Sequence, residues 1–125
     1  MGWKVSPELE SQILAKAENR NVPIATPSPT FASESELQAA IIKQAKLWGW
    51  KQVYHTYDSR RSEEGFPDLV MVRRDRIIFA ELKKNRQLKP SRAQQLWLRA
   101  LQFTGKVEVY VWSPEDWDFI LKTLS

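Results

Sequence analysis

GFPDLVMVRRDRIIFAELK, the stretch from Gly65 to Lys83, contains two short runs of strand-forming residues. The runs cover residues 69–72 and 77–82, and the polar sequence RRDR at 73–76 separates them. Apolar runs on either side of a short polar turn are typical of a β-hairpin. The sequence therefore predicts a hairpin in the middle of the chain, and the other elements are interpreted around it.

Charged side chains interrupt this hairpin near its open end. Side chains alternate between the two faces of a strand, so Glu81 and Lys83 share one face, about 7 Å apart. Asp68 opens the first strand, where pairing of the two strands can bring it opposite the Glu81 end. Two carboxylates that face one point provide the oxygen ligands that Mg²⁺ prefers, and Lys83 can hold a metal-bound water or a phosphate oxygen. An ordinary amphipathic hairpin with its charges on a solvated face has the same spacing.

The residue pattern resembles the signature of the PD-(D/E)XK nuclease superfamily, in that Pro67-Asp68 is followed by twelve residues and then by the triplet ELK at 81–83. The segment GFPDLV at 65–70 resembles the VRR-NUC branch in particular, in its stand-alone phage or bacterial form. The resemblance covers residues 33–124 and implies a restriction-endonuclease-like α/β core with a mixed sheet flanked by helices. It also implies a deoxyribonuclease that depends on Mg²⁺ or Mn²⁺. In such an enzyme Asp68, Glu81 and the backbone carbonyl of Leu82 hold the metal, and Lys83 orients the attacking water.

An amphipathic helix is predicted from Ser33 to Trp48. Ser33 and Glu36 match a capping box, and an apolar stripe follows at helical spacing. Glu34 lies at the edge of this stripe, where an acid can also simply favour the helix dipole. VRR-NUC domains open with a helix that bears a glutamate, so the resemblance implies Glu34 as an auxiliary catalytic and metal-site acid, with Glu36 as the fallback.

A second helix is predicted from Ser91 to Phe103, and Ser91 and Gln94 again match a capping box. The VRR-NUC pattern places a glutamine after the ELK strand in a setting like S-x-x-Q-x-x-W-L, which residues 91–98 match. The resemblance thus implies that Gln94 lies near the catalytic face. Helix capping and a catalytic position both stay open for Gln94.

The remaining segments complete the element order αβββαβα. A strand is predicted at 51–57, after a helix-ending glycine at position 49, and another at 107–112. A last helix begins at Ser113 with proline in its first turn and runs to Leu124. Residues 1–32 are predicted to form an arm with a short helix at 7–19 and a proline-rich linker, and residues 33–125 form the nuclease domain.

Positive charge is concentrated near the hairpin. The net charge is +4, yet residues 73–92 hold eight Arg or Lys against Asp75 and Glu81, and this charge is expected to surround the carboxylates. A basic surface around acids suits a polyanionic substrate, although a solvated basic loop has the same composition. The loop before GFPD resembles a segment of some VRR-NUC members, or is a plain surface loop with two arginines. The predicted DNA contacts are Arg60, Arg61, Lys84, Arg86, Lys89 and Arg92.

Composition limits the class of protein. The chain has no cysteine, which excludes disulfides and thiolate metal sites. No apolar run approaches 18 residues and the N-terminal residues lack a signal-peptide layout, so a soluble intracellular protein without membrane contact is expected, in the bacterial cytoplasm if a phage encodes it. No nucleotide cofactor is expected.

The resemblance also bears on the substrate. Small stand-alone VRR-NUC proteins resemble dimeric Holliday-junction resolvases, so a homodimeric endonuclease that cuts branched DNA during DNA repair is expected. A monomeric flap, nick or end-processing nuclease is the alternative among enzymes. A DNA-binding module that no longer cuts is the alternative outside them. Asp68, Glu81 and Lys83 together argue against that module, because carboxylates repel phosphate unless a metal intervenes.

Overall fold

The computed structural model describes residues 30–57 and 63–125. The predicted helix at 7–19, most of the predicted arm, Arg60 and Arg61 lie outside the described residues. Within the described ranges the elements follow the predicted order. They are α1 (Glu34–Leu47), β1 (Gln52–His55), β2 (Leu69–Arg73), β3 (Arg76–Leu82), α2 (Arg92–Phe103), β4 (Glu108–Trp112), a short 3-10 helix (Pro114–Asp116) and α3 (Trp117–Leu124).

The four strands form one mixed sheet in the order β1-β2-β3-β4. The predicted hairpin is β2 and β3, which pair antiparallel with Leu69 opposite Ala80 and Arg73 opposite Arg76. β1 pairs antiparallel with β2, and β4 pairs parallel with β3. A parallel pair requires a crossover connection, and α2 supplies it. The predicted fold class, a mixed sheet flanked by helices, is confirmed.

The two faces of the sheet are covered differently. β3 directs Ile78, Ala80 and Leu82 to one face, where they join the main core with α1 and α3. The core is made of Leu37, Ile41, Ala45, Trp50, Leu69, Met71, Ile78, Ala80, Leu82, Tyr110, Trp112, Ile120 and Leu124. The predicted apolar stripe of α1 supplies three of these residues. Because side chains alternate along a strand, Phe79 and Glu81 of β3 point to the other face.

Helix α2 packs on that second face. The Phe66 ring makes edge-to-face contacts with Phe79 of β3 and Trp97 of α2, with centroid distances of 6.1 and 5.0 Å. Leu98 of α2 is buried. Phe66 precedes Pro67 and Asp68, so the loop that leads into β2 is wedged between the sheet and α2.

The end of α3 is tied to the turn of the hairpin. The guanidinium carbons of Arg73 and Arg76 lie 4.7 and 5.0 Å from the centre of the Trp50 ring. Both Trp50 Nε1 and Arg73 Nη1 donate to the carbonyl of Leu124, at 3.0 and 2.9 Å. The last carbonyls of a helix lack partners within the helix, and a cation there is favourable. These arginines therefore stabilise the fold at the hairpin turn.

One local feature differs in detail from the sequence interpretation, and another agrees with it. The last helix begins as a 3-10 turn, in which the Asp116 carboxylate accepts from the Ser113 amide at 2.9 Å. Gly49, with φ +92°, ends α1 as predicted.

No helix in residues 30–57 and 63–125 combines the length and the apolar character that crossing a membrane requires.

Candidate metal and active site

Asp68 and Glu81 meet at the open end of the hairpin. Leu69 pairs with Ala80, so the next position outward places Asp68 opposite Glu81. Directly opposed residues of an antiparallel pair have Cβ atoms about 5 Å apart. Asp68 Oδ2 also accepts a hydrogen bond from the Leu82 amide at 2.8 Å, which fixes this carboxylate against the end of β3. The hairpin thus brings the two acids together.

Glu81 is a buried acid, with only 1% of its surface exposed. Its Oε1 accepts from Gln94 Nε2 at 3.2 Å, while its Oε2 is buried and meets no hydrogen-bond donor in the described part of the chain. Burial raises the pKa of Glu81 to about 9, helped by Asp68, which accepts a hydrogen bond from the protonated form and repels the ionised one. The charge of Lys83 opposes this rise. Such a site favours either a proton or a cation between the two acids.

Gln94 connects the lysine to the buried acid. Lys83 Nζ donates to Gln94 Oε1 at 2.8 Å, and the same oxygen accepts the Ser91 amide at 2.7 Å. The backbone N–H of Gln94 donates to Ser91 Oγ at 3.2 Å, which completes the cap of α2. An amide oxygen has two lone pairs, so it can serve both bonds at once. Gln94 therefore caps α2 and also contacts Glu81 and Lys83, so capping does not exclude a place at the candidate site. Its catalytic role stays a prediction.

The backbone of Leu82 faces Asp68. The Lys83 amide donates to the Trp112 carbonyl on β4 at 2.8 Å, whereas the Leu82 amide donates to Asp68 on the β2 side. The N–H and C=O groups of one strand residue point to the same side, so the Leu82 carbonyl is also directed towards the β2 side. An oxygen of the main chain is thus available beside the two carboxylates.

Two acids and one carbonyl are a small ligand set. Among residues 30–57 and 63–125, no group of three or more His, Cys, Asp or Glu side chains is close enough to hold a metal ion. Mg²⁺ is commonly bound through one or two carboxylates and keeps several waters or substrate oxygens. The donorless buried oxygen of Glu81 and the all-oxygen donor set fit such an ion.

The two candidate acids of α1 have different contacts. Glu34 Oε1 accepts the amide of Lys84, just beyond β3, at 3.1 Å, and its charge adds to the rise in the pKa of Glu81. Glu36 Oε2 accepts the amide of Ala32 at 2.7 Å and thus reaches one residue beyond the predicted capping-box partner, Ser33. Glu34 is therefore the acid directed to the strand end, and its role as an auxiliary ligand stays a prediction.

The predicted DNA contacts fall into three groups. Lys84, Lys89 and Arg92 are exposed. Arg86 is paired within the protein, because its amide donates to Glu115 at 2.9 Å and its guanidinium contacts Asp116 at 3.5 Å. Arg60 and Arg61 lie outside the described residues. Contact with DNA stays a prediction for all six.

Three of the basic residues near the hairpin do not lie near the acids. Arg73, Arg74 and Arg76 are at the turn, and Glu81 is five residues along β3 from Arg76, about 17 Å away. Arg76 is also bound to Glu108 through two hydrogen bonds of 2.7 Å. The expectation that the whole basic segment surrounds the carboxylates is wrong for these three, because the strands carry the turn away from the open end.

Sequence reasoning missed the residues that hold the Asp68 loop. Thr56 donates through its hydroxyl to the Pro67 carbonyl at 2.6 Å and through its amide to the Asp68 carbonyl at 2.8 Å. Gly65, with φ +84°, lies against the backbone of α2. No local pattern around Thr56 indicates its contact with the loop. Gly65, two residues before the Pro-Asp pair, is compatible with a turn, but nothing beside it in the sequence indicates the approach to α2.

A mixed four-stranded sheet flanked by helices, with an acid pair and a lysine at the open end of its hairpin, defines a mixed α/β domain. A solved structure described as "VRR_NUC domain protein" is similar to this chain, with a TM-score of 0.58 and 17% sequence identity. The similarity covers 77% of this chain and 88% of that one. At this identity the likeness establishes the fold. No family model matches the sequence, and no curated protein matches it at a significant level.

Proposed function

We propose that this chain is a metal-dependent deoxyribonuclease that hydrolyses phosphodiester bonds. The observation that supports it most directly is the buried carboxylate of Glu81, which faces Asp68 and has one oxygen without a donor in the described residues. Two adjacent acids in a buried place disfavour ionisation unless a cation lies between them. A module that only binds DNA needs basic residues and gains nothing from such a pair.

The proposed cation is Mg²⁺ or Mn²⁺, held by Asp68, Glu81 and the Leu82 carbonyl, with Glu34 as an auxiliary acid. A bound ion of this kind polarises a phosphate and lowers the pKa of a water. Lys83 orients the attacking water and places positive charge beside the phosphate. Gln94 holds the Lys83 ammonium through its side-chain oxygen, so the lysine keeps one position relative to Glu81.

The proposed substrate is DNA, with branched DNA such as a Holliday junction preferred and a homodimer as the acting form. The exposed Lys84, Lys89 and Arg92 on the connector after β3 and at the start of α2 support a polyanionic substrate. A two-fold enzyme with two sites suits a two-fold junction. Measuring the mass of the protein in solution, alone and with a junction, tests the dimer.

The experiment compares cleavage of a four-way junction, a flap and a linear duplex in Mg²⁺, Mn²⁺ or EDTA. Asp68→Asn is the sharpest variant, because asparagine keeps an oxygen that accepts the Leu82 amide and removes only the charge. Lys83→Met tests the lysine. Asp75→Asn, at the exposed turn of the same hairpin, is the matched control.

We expect Asp68→Asn and Lys83→Met to abolish cleavage, while DNA binding and the unfolding transition stay close to those of the wild type. Asp75→Asn should cleave normally. Cleavage of flaps or ends in preference to junctions would favour a monomeric processing nuclease. Binding without cleavage in either metal would refute the nuclease and leave a DNA-binding module.

A further inference from the structure

The loop at residues 63–68 approaches α2 more closely than a side chain permits. A Cβ atom on Gly65 would lie 2.4 Å from the carbonyl carbon of Ala93, 2.5 Å from its oxygen and 2.7 Å from the Gln94 nitrogen. All three are backbone atoms inside the first turn of α2, so no rotation of a side chain can make room. Ordinary contacts begin at 3.4 Å. A residue with a Cβ atom at position 65 would therefore move the loop or the helix by about 1 Å.

This contact joins the two halves of the candidate site. Asp68 lies three residues after Gly65 on the same loop, and Gln94 lies at the contact on the helix. Gln94 holds both Glu81 and Lys83, whereas Asp68 is held by the Leu82 amide. The distance between loop and helix thus sets the position of one carboxylate relative to the other acid and the lysine.

We propose that Gly65 is a positioning residue of the carboxylate site. Its missing side chain lets the turn before Asp68 rest on the α2 backbone, and this contact fixes Asp68 against Glu81 and Lys83. The other anchors of the loop do not replace it. Thr56 holds Pro67 and Asp68 from the β1 side, and Phe66 fills the space between Phe79 and Trp97. The consequence for catalysis rests on the proposed nuclease function.

The chain contains a matched control for this proposal. Gly105 also has a positive φ, +67°, but a Cβ atom there would meet nothing within 4 Å. Gly65→Ala and Gly105→Ala therefore both place alanine in a left-handed backbone conformation, which lowers the stability of the folded protein at either position. Only the first also forces the backbone apart. A difference between the two variants reports the contact with α2.

The first readout does not depend on activity. The Leu82 amide donates to Asp68, so its hydrogen exchange reports whether Asp68 keeps its place. In the metal-free protein we expect exchange at Leu82 to be at least tenfold faster in Gly65→Ala than in Gly105→Ala. Equal exchange at Leu82 in the two variants would overturn the positioning role, whether or not the protein cleaves DNA.

The second readout is cleavage as a function of Mg²⁺ concentration. A displacement of about 1 Å in a catalytic site costs about 100-fold in rate. We expect Gly65→Ala to lose about that much kcat and to need several-fold more Mg²⁺ for half-maximal rate, whereas Gly105→Ala stays within threefold of the wild type in both. A loss of rate with unchanged Mg²⁺ dependence would indicate a smaller folded fraction and would overturn the proposal.

Thr56→Val tests the same proposal even if the Gly65→Ala protein does not fold. It removes the hydroxyl that anchors Pro67 from the opposite side and nearly keeps the volume of the side chain. If the loop position governs the site, this variant also exchanges faster at Leu82 and needs more Mg²⁺, with a smaller change than Gly65→Ala. Wild-type values in both measurements would overturn the claim that loop placement governs the site. A wild-type protein that cleaves nothing would refute the proposed function and leave the exchange result standing.

Discussion

Replacing Glu81 by glutamine should make the metal-free protein more stable near neutral pH while it removes metal binding. The pKa of Glu81 is raised from the ordinary 4.5 to about 9, first by burial and then by Asp68. Below pH 4.5 the residue is protonated in both the folded and the unfolded chain. Between pH 4.5 and 9 the unfolded chain releases this proton and the folded chain keeps it, so the free energy of unfolding falls as the pH rises.

The size of the effect follows from the pKa. Each pKa unit corresponds to about 1.4 kcal/mol, so by pH 7 the wild type has lost about 3 kcal/mol that it had in acid. Glutamine carries no charge in either state and can still bond to Gln94 and Asp68. In EDTA, Glu81→Gln should therefore match the wild type near pH 4.5 and exceed it by about 3 kcal/mol at pH 7.

Denaturant unfolding in EDTA, followed from pH 4.5 to pH 8, measures this difference. Glu108→Gln on β4 is the matched control. Burial raises the pKa of Glu108, but hydrogen bonds from Arg76 and Tyr110 outweigh burial and lower it. Glu108→Gln should therefore destabilise the protein at pH 7, by about 1 kcal/mol for this partly exposed pair. A Glu81→Gln variant that is no more stable than the wild type at pH 7, or whose advantage does not grow with pH, would refute the claim that Glu81 is buried and protonated in the metal-free protein.

Adding Mg²⁺ should raise the unfolding temperature of the wild type and leave that of Glu81→Gln unchanged.

Two further predictions use pairs of variants. Gln94→Ala and Ser91→Ala each remove half of the α2 capping box, so each should cost about 1 kcal/mol of stability. Only Gln94→Ala also frees the Lys83 ammonium, so only this variant should lower kcat, by at least tenfold with little change in KM. Equal cleavage by the two variants would count against the role of Gln94 at the site. Lys89→Gln should weaken DNA binding and reduce the slope of log affinity against log salt concentration by about 1. Arg74→Gln, at the distant hairpin turn, should change neither the affinity nor the slope. A reduced slope in Arg74→Gln would mean that DNA binds at the turn of the hairpin and not at the end that carries the acids.

The hairpin and the order of the elements could be predicted because their signals are local. The turn at 73–76 fixes the register of β2 and β3, and this register alone puts Asp68 opposite Glu81. Ser33 and Ser91 mark the starts of α1 and α2 by accepting the amide three residues later. Each of these signals lies within about fifteen residues of what it predicts.

The contacts that the sequence did not reveal join distant segments. Arg73 lies beside acids and other basic residues in the sequence, yet it bonds to the carbonyls of Trp48 and Leu124. These carbonyls reach Arg73 because the ends of α1 and α3 pack beside the hairpin turn. The distribution of charged residues along the sequence does not reveal that packing. The approach of Gly65 to Ala93 is equally invisible, because it depends on where α2 returns to the sheet.

Backbone amides hold most of the polar groups at the candidate site. Leu82 fixes Asp68, Lys84 fixes Glu34, and Ser91 fixes the oxygen of Gln94 that also accepts Lys83. An amide at a strand end or a helix start moves only if the element moves, so these groups are placed as accurately as the sheet and helices themselves. Glu81 differs, since one of its oxygens meets no donor in the described residues and its burial favours the proton. Among the carboxylates of residues 30–57 and 63–125, Glu81 is the one that has a buried oxygen without a hydrogen-bond donor. A cation beside that oxygen would reduce the energetic cost of ionising Glu81.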